Sequence, residues 1–183
     1  MNETDTRPHA NCYWIEEGRF IAGEYPGRVE EPASRISVQR HLSRGITFFL
    51  DLTEKHQLSP YGQHLPEIHP ESGKTIVYRR MPIRDVSIPE SPEEMVAILD
   101  CIDRALAESH VVYLHCWGGV GRTGTVVGCH LVRKGRTGEG ALLELAGFWR
   151  TVEKRHKRPE SPETDSQKDY VRDWVEPRNL GGF

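Results

Sequence analysis

The residues His115-Cys116-Trp117-Gly118-Gly119-Val120-Gly121-Arg122-Thr123 constrain this chain more than any other segment. The run VVYLHC leading into them reads as a buried strand, and TGTVVGCHLVRKG after the arginine reads as a helix. A strand that passes into a helix through a turn this rich in glycine gathers backbone N–H groups with no intrahelical partner. Glycine permits the backbone angles and the close approach that such a turn requires. The fold must therefore bring a strand end and a helix start together around one anion-sized hollow. Cys116 at its base sits in a positive field, which favours thiolate over thiol. Arg122 adds a planar fork that matches two phosphate oxygens at once. The chemistry implied is capture of a phosphate dianion and attack on it by sulfur.

The rest of the chain accommodates one such site. A length of 183 residues suits one domain with a full hydrophobic core, and 37% hydrophobic with 28% charged residues is ordinary for a globular protein. The formal net charge of -3 gives no electrostatic case for nucleic acid or an acidic membrane as partner. No apolar run approaches the roughly 18 residues of a membrane span, and the start MNETDTRPHA is polar. The four cysteines, at 12, 101, 116 and 129, show no CxxC pairing, which suggests free thiols and a cytoplasmic protein.

Residues 1–10 read as a loose tail, 11–177 as the domain and 178–183 as a C-terminal tail. NCYWIEEGRFIAGEYPG alternates about Glu17-Gly18 as a hairpin would. A helix is expected over 32–44, a strand over 46–52, a long connection over 53–74 and a strand over 75–83. Ser91-Pro92-Glu93-Glu94 is a helix start, with Ser as N-cap, Pro at the first position and Glu at the third. That helix runs to about 109, followed by a strand at 111–115 and helices at 123–134 and 138–155. TDSQKDYVRDW then reads as a final helix. Strands alternating with helices predict a single α/β domain around a mostly parallel sheet.

The segment HCWGGVGRT resembles the HC-x5-R-[ST] signature of the cysteine-dependent protein tyrosine and dual-specificity phosphatases, complete at His115, Cys116, Arg122 and Thr123. The order of elements around it is similar to a compact dual-specificity phosphatase domain, over about residues 12–176. The opening GRFIAGEYPG is similar to the entry hairpin of the cyclin-dependent-kinase-inhibitor-like phosphatases. The resemblance implies a phosphorylated protein as substrate, phosphate bound by residues 117–122 (Trp117, Gly118, Gly119, Val120, Gly121 and Arg122), a cysteinyl-phosphate on Cys116, and no cofactor. A monomer is expected.

A leaving oxygen needs a proton from a carboxylic acid on a segment that reaches over the pocket. Asp85 lies on the loop where the family carries its general acid, among Ile83, Val86 and Ile88, apolar groups that would desolvate its carboxyl. Its other reading is a loop aspartate paired with Arg84 or Arg80, and Asp51 is the reserve acid. Thr123 reads either as a hydroxyl bonded to the Cys116 sulfur or as a helix N-cap. His115 is expected to point away from phosphate and hold the loop. The resemblance makes Gln167 a candidate to position the hydrolytic water; the residues themselves read equally as a capped helix.

Substrate clues are thinner. The loop adds no cation beyond Arg122, whereas phosphoinositide-directed members of the superfamily it resembles generally carry lysines there. The resemblance therefore implies a singly phosphorylated group such as phosphotyrosine or phosphoserine/threonine, with a phosphoinositide as the alternative substrate. The clusters Arg133-Lys134-Gly135-Arg136 and Lys154-Arg155-His156-Lys157-Arg158 read as solvated helix ends, with attraction of acidic substrate flanks as the other reading. No HExxH or regular His/Cys spacing points to zinc, and GxxxxGK[ST] is absent. Sulfur transfer or arsenate reduction would want a resolving cysteine near Cys116. A phosphate-reading module without catalysis is the non-enzyme alternative, and such modules have typically lost the Cys or the Arg.

Overall fold

The computed structural model describes residues 6–177. Within them, alternation along the strands builds a sheet with two buried faces. In β1 (Cys12–Glu16), β2 (Phe20–Gly23), β3 (Phe48–Asp51), β4 (Val77–Arg80) and β5 (Val112–His115), successive side chains point to opposite sides. Phe20, Ala22, Phe48, Leu50, Val112 and Leu114 face one way, into the larger core. Ile21, Phe49 and Tyr113 face the other, into a smaller core with Val38 and Leu42 of α1 (Glu31–Leu42). The sheet order is β1-β2-β5-β3-β4, with β1 antiparallel to β2 and every other pairing parallel. β5 is therefore central, and its C-terminal end delivers Cys116.

The larger core is roofed by α2 (Pro92–Ala107), α3 (Gly121–Arg133), α4 (Gly138–Trp149) and α5 (Asp165–Arg172). Met95, Ile98, Leu99, Ile102 and Leu106 form the buried stripe of α2 at the spacing its sequence carries. Ser91 Oγ accepts from Glu94 N at 3.3 Å, the cap expected there. Gly18 turns the hairpin at φ +73.

Several boundaries differ from the sequence expectation. The strands shorten to their paired centres, and α3 starts two residues early, at Gly121. The helix expected over 138–155 ends at Trp149, because Val152 is drawn into the core in extended conformation before a short 3-10 turn at Glu153–His156. Residues 7–10, expected as loose, are tied down: Arg7 Nη1 donates to the carbonyls of Cys12 and Thr151, and Ala10 O accepts from Glu153 N. Residues 1–5 and the tail at 178–183 lie outside the described residues. Among the described residues, no helix is long and apolar enough to cross a membrane.

Burial of a histidine in the larger core gives a pH-dependent stability. His130 on α3 packs edge-to-face on Phe20, ring centroids 5.1 Å apart, and its Nδ1 has no hydrogen-bond partner among the described residues. Burial lowers its pKa from 6.5 to about 4, with Lys134 adding in the same direction. Between those values the unfolded chain holds a proton that the folded chain does not, so stability falls as pH drops from about 6.5 to about 4 and levels below. The expected loss is about 3 kcal/mol. Urea midpoints measured across this range fall less steeply for His130→Phe than for the wild type; equal slopes would remove His130 from the account.

Candidate active site

Four carbonyls of the loop from Cys116 to Val120 face neighbouring donors. Cys116 O faces His115 Nδ1 at 3.3 Å, Trp117 O accepts from Tyr25 N at 2.9 Å, Gly118 O from Lys154 Nζ at 2.9 Å, and Val120 O from Ser161 Oγ at 2.7 Å. The N–H groups of residues 117–122 make no hydrogen bond to any acceptor among the described residues. N–H groups left without an acceptor at a helix start are able to receive an anion. Gly119 makes the turn possible: its φ is +71, and a Cβ there would lie 2.4 Å from the carbonyl carbon of Gly23. It faces the entry hairpin, while Trp117, Gly118, Val120 and Gly121 line the cavity above.

That cavity has a volume of about 860 Å³, and Cys116, Arg122, Asp85 and Gln167 all border it. Arg122 is buried, and its Nη1 is anchored by three acceptors: Leu52 O at 3.2 Å, Ile83 O at 3.0 Å and Gln57 Oε1 at 3.0 Å. Nη2 is left for the pocket, where Asp85 Oδ1 stands 2.8 Å away. The contact is an ion pair by distance, without hydrogen-bond alignment, since Nη2 has no aligned acceptor among the described residues. Arg122 is therefore the partner of Asp85, in place of Arg84 or Arg80.

The apolar enclosure expected around Asp85 does not form. Ile83 is buried, but Val86 is 60% exposed and Asp85 is open to solvent. The chain turns sharply here, with Val86 at φ 55, a conformation that costs a β-branched residue about 1–3 kcal/mol. Glu54 Oε2 accepts from Asp85 N at 3.2 Å and holds the loop from below.

Asp51, the reserve acid, lies under the sheet end and does not border the cavity. Its carboxylate accepts from Tyr78 Oη at 2.6 Å, Thr53 N and Oγ1 at 2.8 and 2.7 Å, and Arg80 Nη2 at 3.1 Å. Burial works against its ionisation, but the His115 ring, Tyr78 and Thr53 outweigh that, and its pKa lies below the ordinary value. An acid so held cannot give up a proton to a leaving group. Burial lowers the pKa of His115, so the ring is neutral at pH 7. A carbonyl can only accept, so Nδ1 carries the hydrogen toward Cys116 O, and Nε2 accepts from Tyr61 Oη at 2.7 Å. Tyr61 thus orients the His115 ring, and His115 holds the Cys116 carbonyl.

A family model described as PTP-SAK, the Swiss Army Knife protein DSP-PTPase phosphatase domain, matches residues 9–171. The chain belongs to this family. It is 30% identical over 118 residues to a protein of Invertebrate iridescent virus 3 named as a tyrosine phosphatase, 067L, covering 62% of this chain and 42% of the viral protein. It is 27% identical over 188 residues to mouse protein tyrosine phosphatase domain-containing protein 1, covering 89% of this chain and 23% of that one. The chain thus spans less than half the length of these curated relatives. Among solved structures, a variant form of Tk-PTP matches with TM-score 0.63 at 25% identity, covering 88% of this chain and 91% of the other. Kinase associated phosphatase matches with TM-score 0.64 at 18% identity, covering 89% and 91%, and shows the shared fold alone.

In this PTP-SAK domain the remaining sequence candidates fall as follows. Thr123 is no N-cap: Val120 holds that position, and the fully buried Thr123 Oγ1 has no partner among the described residues. Gln167 takes the capped-helix reading and also borders the cavity. It completes a capping box with Thr164, while its side chain borders the cavity so tightly that a Cβ on Gly121 would lie 2.8 Å from Oε1. Nε2 donates to Ser87 O at 2.9 Å, which ties α5 to the Asp85 loop and leaves one hydrogen uncommitted. Gln57, Glu54 and Tyr61 escaped the sequence reading because the 53–74 connection has no periodicity to mark inward positions.

The two basic clusters separate. Arg133 and Lys134 pair with Asp100, Asp103 and Glu176, and Arg136 with Glu144. Lys154, Lys157 and Arg158, by contrast, border the same cavity as Cys116. Among the described residues, no group of three or more His, Cys, Asp or Glu is arranged to hold a metal ion.

Proposed function

We propose that this phosphatase-family chain is a cytoplasmic, monomeric enzyme that hydrolyses phosphotyrosine in proteins, and phosphoserine/threonine with it, through a cysteinyl-phosphate and without a metal. The observation that carries the reading is the convergence on one cavity of Cys116, a ring of unbonded amides and the free edge of an anchored Arg122. An incoming dianion takes Arg122 over from Asp85. The Cys116 thiolate attacks phosphorus, the P–O bond to the tyrosyl oxygen breaks, and the Asp85 carboxyl gives that oxygen its proton. Water then attacks the thiophosphate, the P–S bond breaks, and Asp85 takes the water's proton. Loop amides and Arg122 stabilise the equatorial oxygens in both steps. The unpartnered Thr123 hydroxyl is available to the departing sulfur, and the spare hydrogen of Gln167 Nε2 to the water.

The reading is tested by turnover of a phosphotyrosyl peptide in EDTA, with acid quench to trap the phosphoenzyme. Label on Cys116 and EDTA-insensitive turnover are expected; an EDTA-dependent rate or an unlabelled cysteine would overturn it. Asp85→Asn tests the acid. It is expected to lower kcat by about a hundredfold on the tyrosyl ester, and much less on nitrophenyl phosphate, whose oxygen leaves without a proton. Equal losses on both substrates would assign Asp85 to binding.

A further inference from the structure

The phosphate chemistry leaves unused a set of charges at the mouth of the cavity. Five cations and three carboxylates border it, so this wall is positive in a chain whose formal net charge is -3. Two of the cations are committed to structure. Lys154 Nζ donates to Glu24 at 2.7 Å and to Gly118 O at 2.9 Å, and Arg28 is held by Glu24 and the carbonyls of Tyr25 and Gly27. Arg122 serves the phosphate. Arg158 makes one solvent-exposed pair with Glu163 at 2.8 Å, of the kind worth little by itself. Lys157 makes no ion pair or side-chain hydrogen bond among the described residues.

We propose that Lys157 and Arg158 form a docking site for Asp or Glu side chains flanking the phosphotyrosine of a peptide substrate. The inference rests on the phosphatase reading above and names the substrate class of the same site. The rest of the rim favours a peptide over a small polyphosphate. Trp117 is 56% exposed beside the nucleophile, and Val86 and Leu58 also border the cavity, a surface for an aromatic ring and the chain that carries it. A small polyphosphate would need several uncommitted donors converging on it, and Lys154 and Arg28 are already spent. Lysine and arginine at an open mouth instead attract carboxylates on a longer ligand, at a range set by salt.

The test compares kcat/KM for three phosphotyrosyl peptides of one length, flanked by Glu, Ala or Lys, on the full chain and on the double variant K157E/R158E. Only the backbone carbonyl of Arg158 is used by Trp149, so both substitutions leave that contact in place. Expected is a preference for Glu over Ala flanks of roughly tenfold at low salt, shrinking toward one near about 0.5 M salt and inverting in the variant. A wild-type ratio of one, or a ratio that persists in the variant, overturns the docking site. So does an inositol polyphosphate turned over faster than the acidic peptide and lost in the variant. The same peptides are also ranked by Kd on Cys116→Ser. Ranked binding without any turnover keeps the docking site and overturns the phosphatase reading; turnover without ranking does the reverse.

Discussion

Cys116→Ser is expected to lower turnover of an aryl phosphate by roughly 10⁴-fold or more while leaving phosphate affinity near that of the wild type. The reason lies in what surrounds the sulfur. A serine hydroxyl becomes a useful nucleophile only when a neighbouring base takes its proton. The nearest histidine is fully committed: His115 Nε2 accepts from Tyr61, and Nδ1 faces the carbonyl of residue 116. Its ring is fully buried and does not border the cavity, so it cannot serve the hydroxyl. Sulfur is intrinsically the better nucleophile and needs no such partner. The loop amides and the Arg122 guanidinium remain in the variant, so an anion still binds. Stopped assays on nitrophenyl phosphate and titration with inorganic phosphate read the two halves separately. Residual activity above about one per cent of wild type would place the nucleophile elsewhere.

What could be read in advance was whatever is encoded locally. Glycine density between an apolar strand and an apolar helix allows one backbone path, so the Cys116–Arg122 hollow was visible in nine residues. The α2 cap at Ser91 and the Gly18 hairpin are local in the same sense. Asp85 was placed by its loop, but its partner was not, because Arg122 reaches it only after strand β5 and helix α3 have packed. The hidden parts are those made by distant contacts. Gln57 holds Arg122 across 65 positions of sequence, from a connection without periodicity. Residues 154–158 read as a helix end because the sequence predicts one helix over 138–155, through Val152. Burial of Val152 instead breaks the helix, and the bond from Trp149 Nε1 to Arg158 O at 2.8 Å fastens the basic segment beside the cavity. Asp51 reads as an available acid for the same reason: its five donors come from Thr53, Tyr78 and Arg80, and the last two residues lie on a neighbouring strand.

Arg122→Lys keeps the charge and is nevertheless expected to lower kcat/KM by about a thousandfold. The guanidinium does two things at once. One nitrogen satisfies the carbonyls of Leu52 and Ile83 and the Gln57 amide, while the other faces the pocket, 2.8 Å from Asp85. An ammonium is a single point with three hydrogens on a flexible stem, and it cannot occupy both positions. Placed among the three oxygens, it leaves the phosphate with amides alone; placed in the pocket, it leaves buried acceptors unpaired at about 1–3 kcal/mol each. Loss of one preorganised donor at developing charge already costs a factor of about 10²–10³, to which the cost of the unpaired carbonyls adds. The two positions of the lysine are told apart by pairing the rate with a melting curve. A low rate at wild-type Tm puts the ammonium among the carbonyls, and a low Tm with tighter phosphate binding puts it in the pocket. A variant within tenfold of wild-type kcat/KM would mean that charge alone, without the planar fork, stabilises the transferring phosphoryl group.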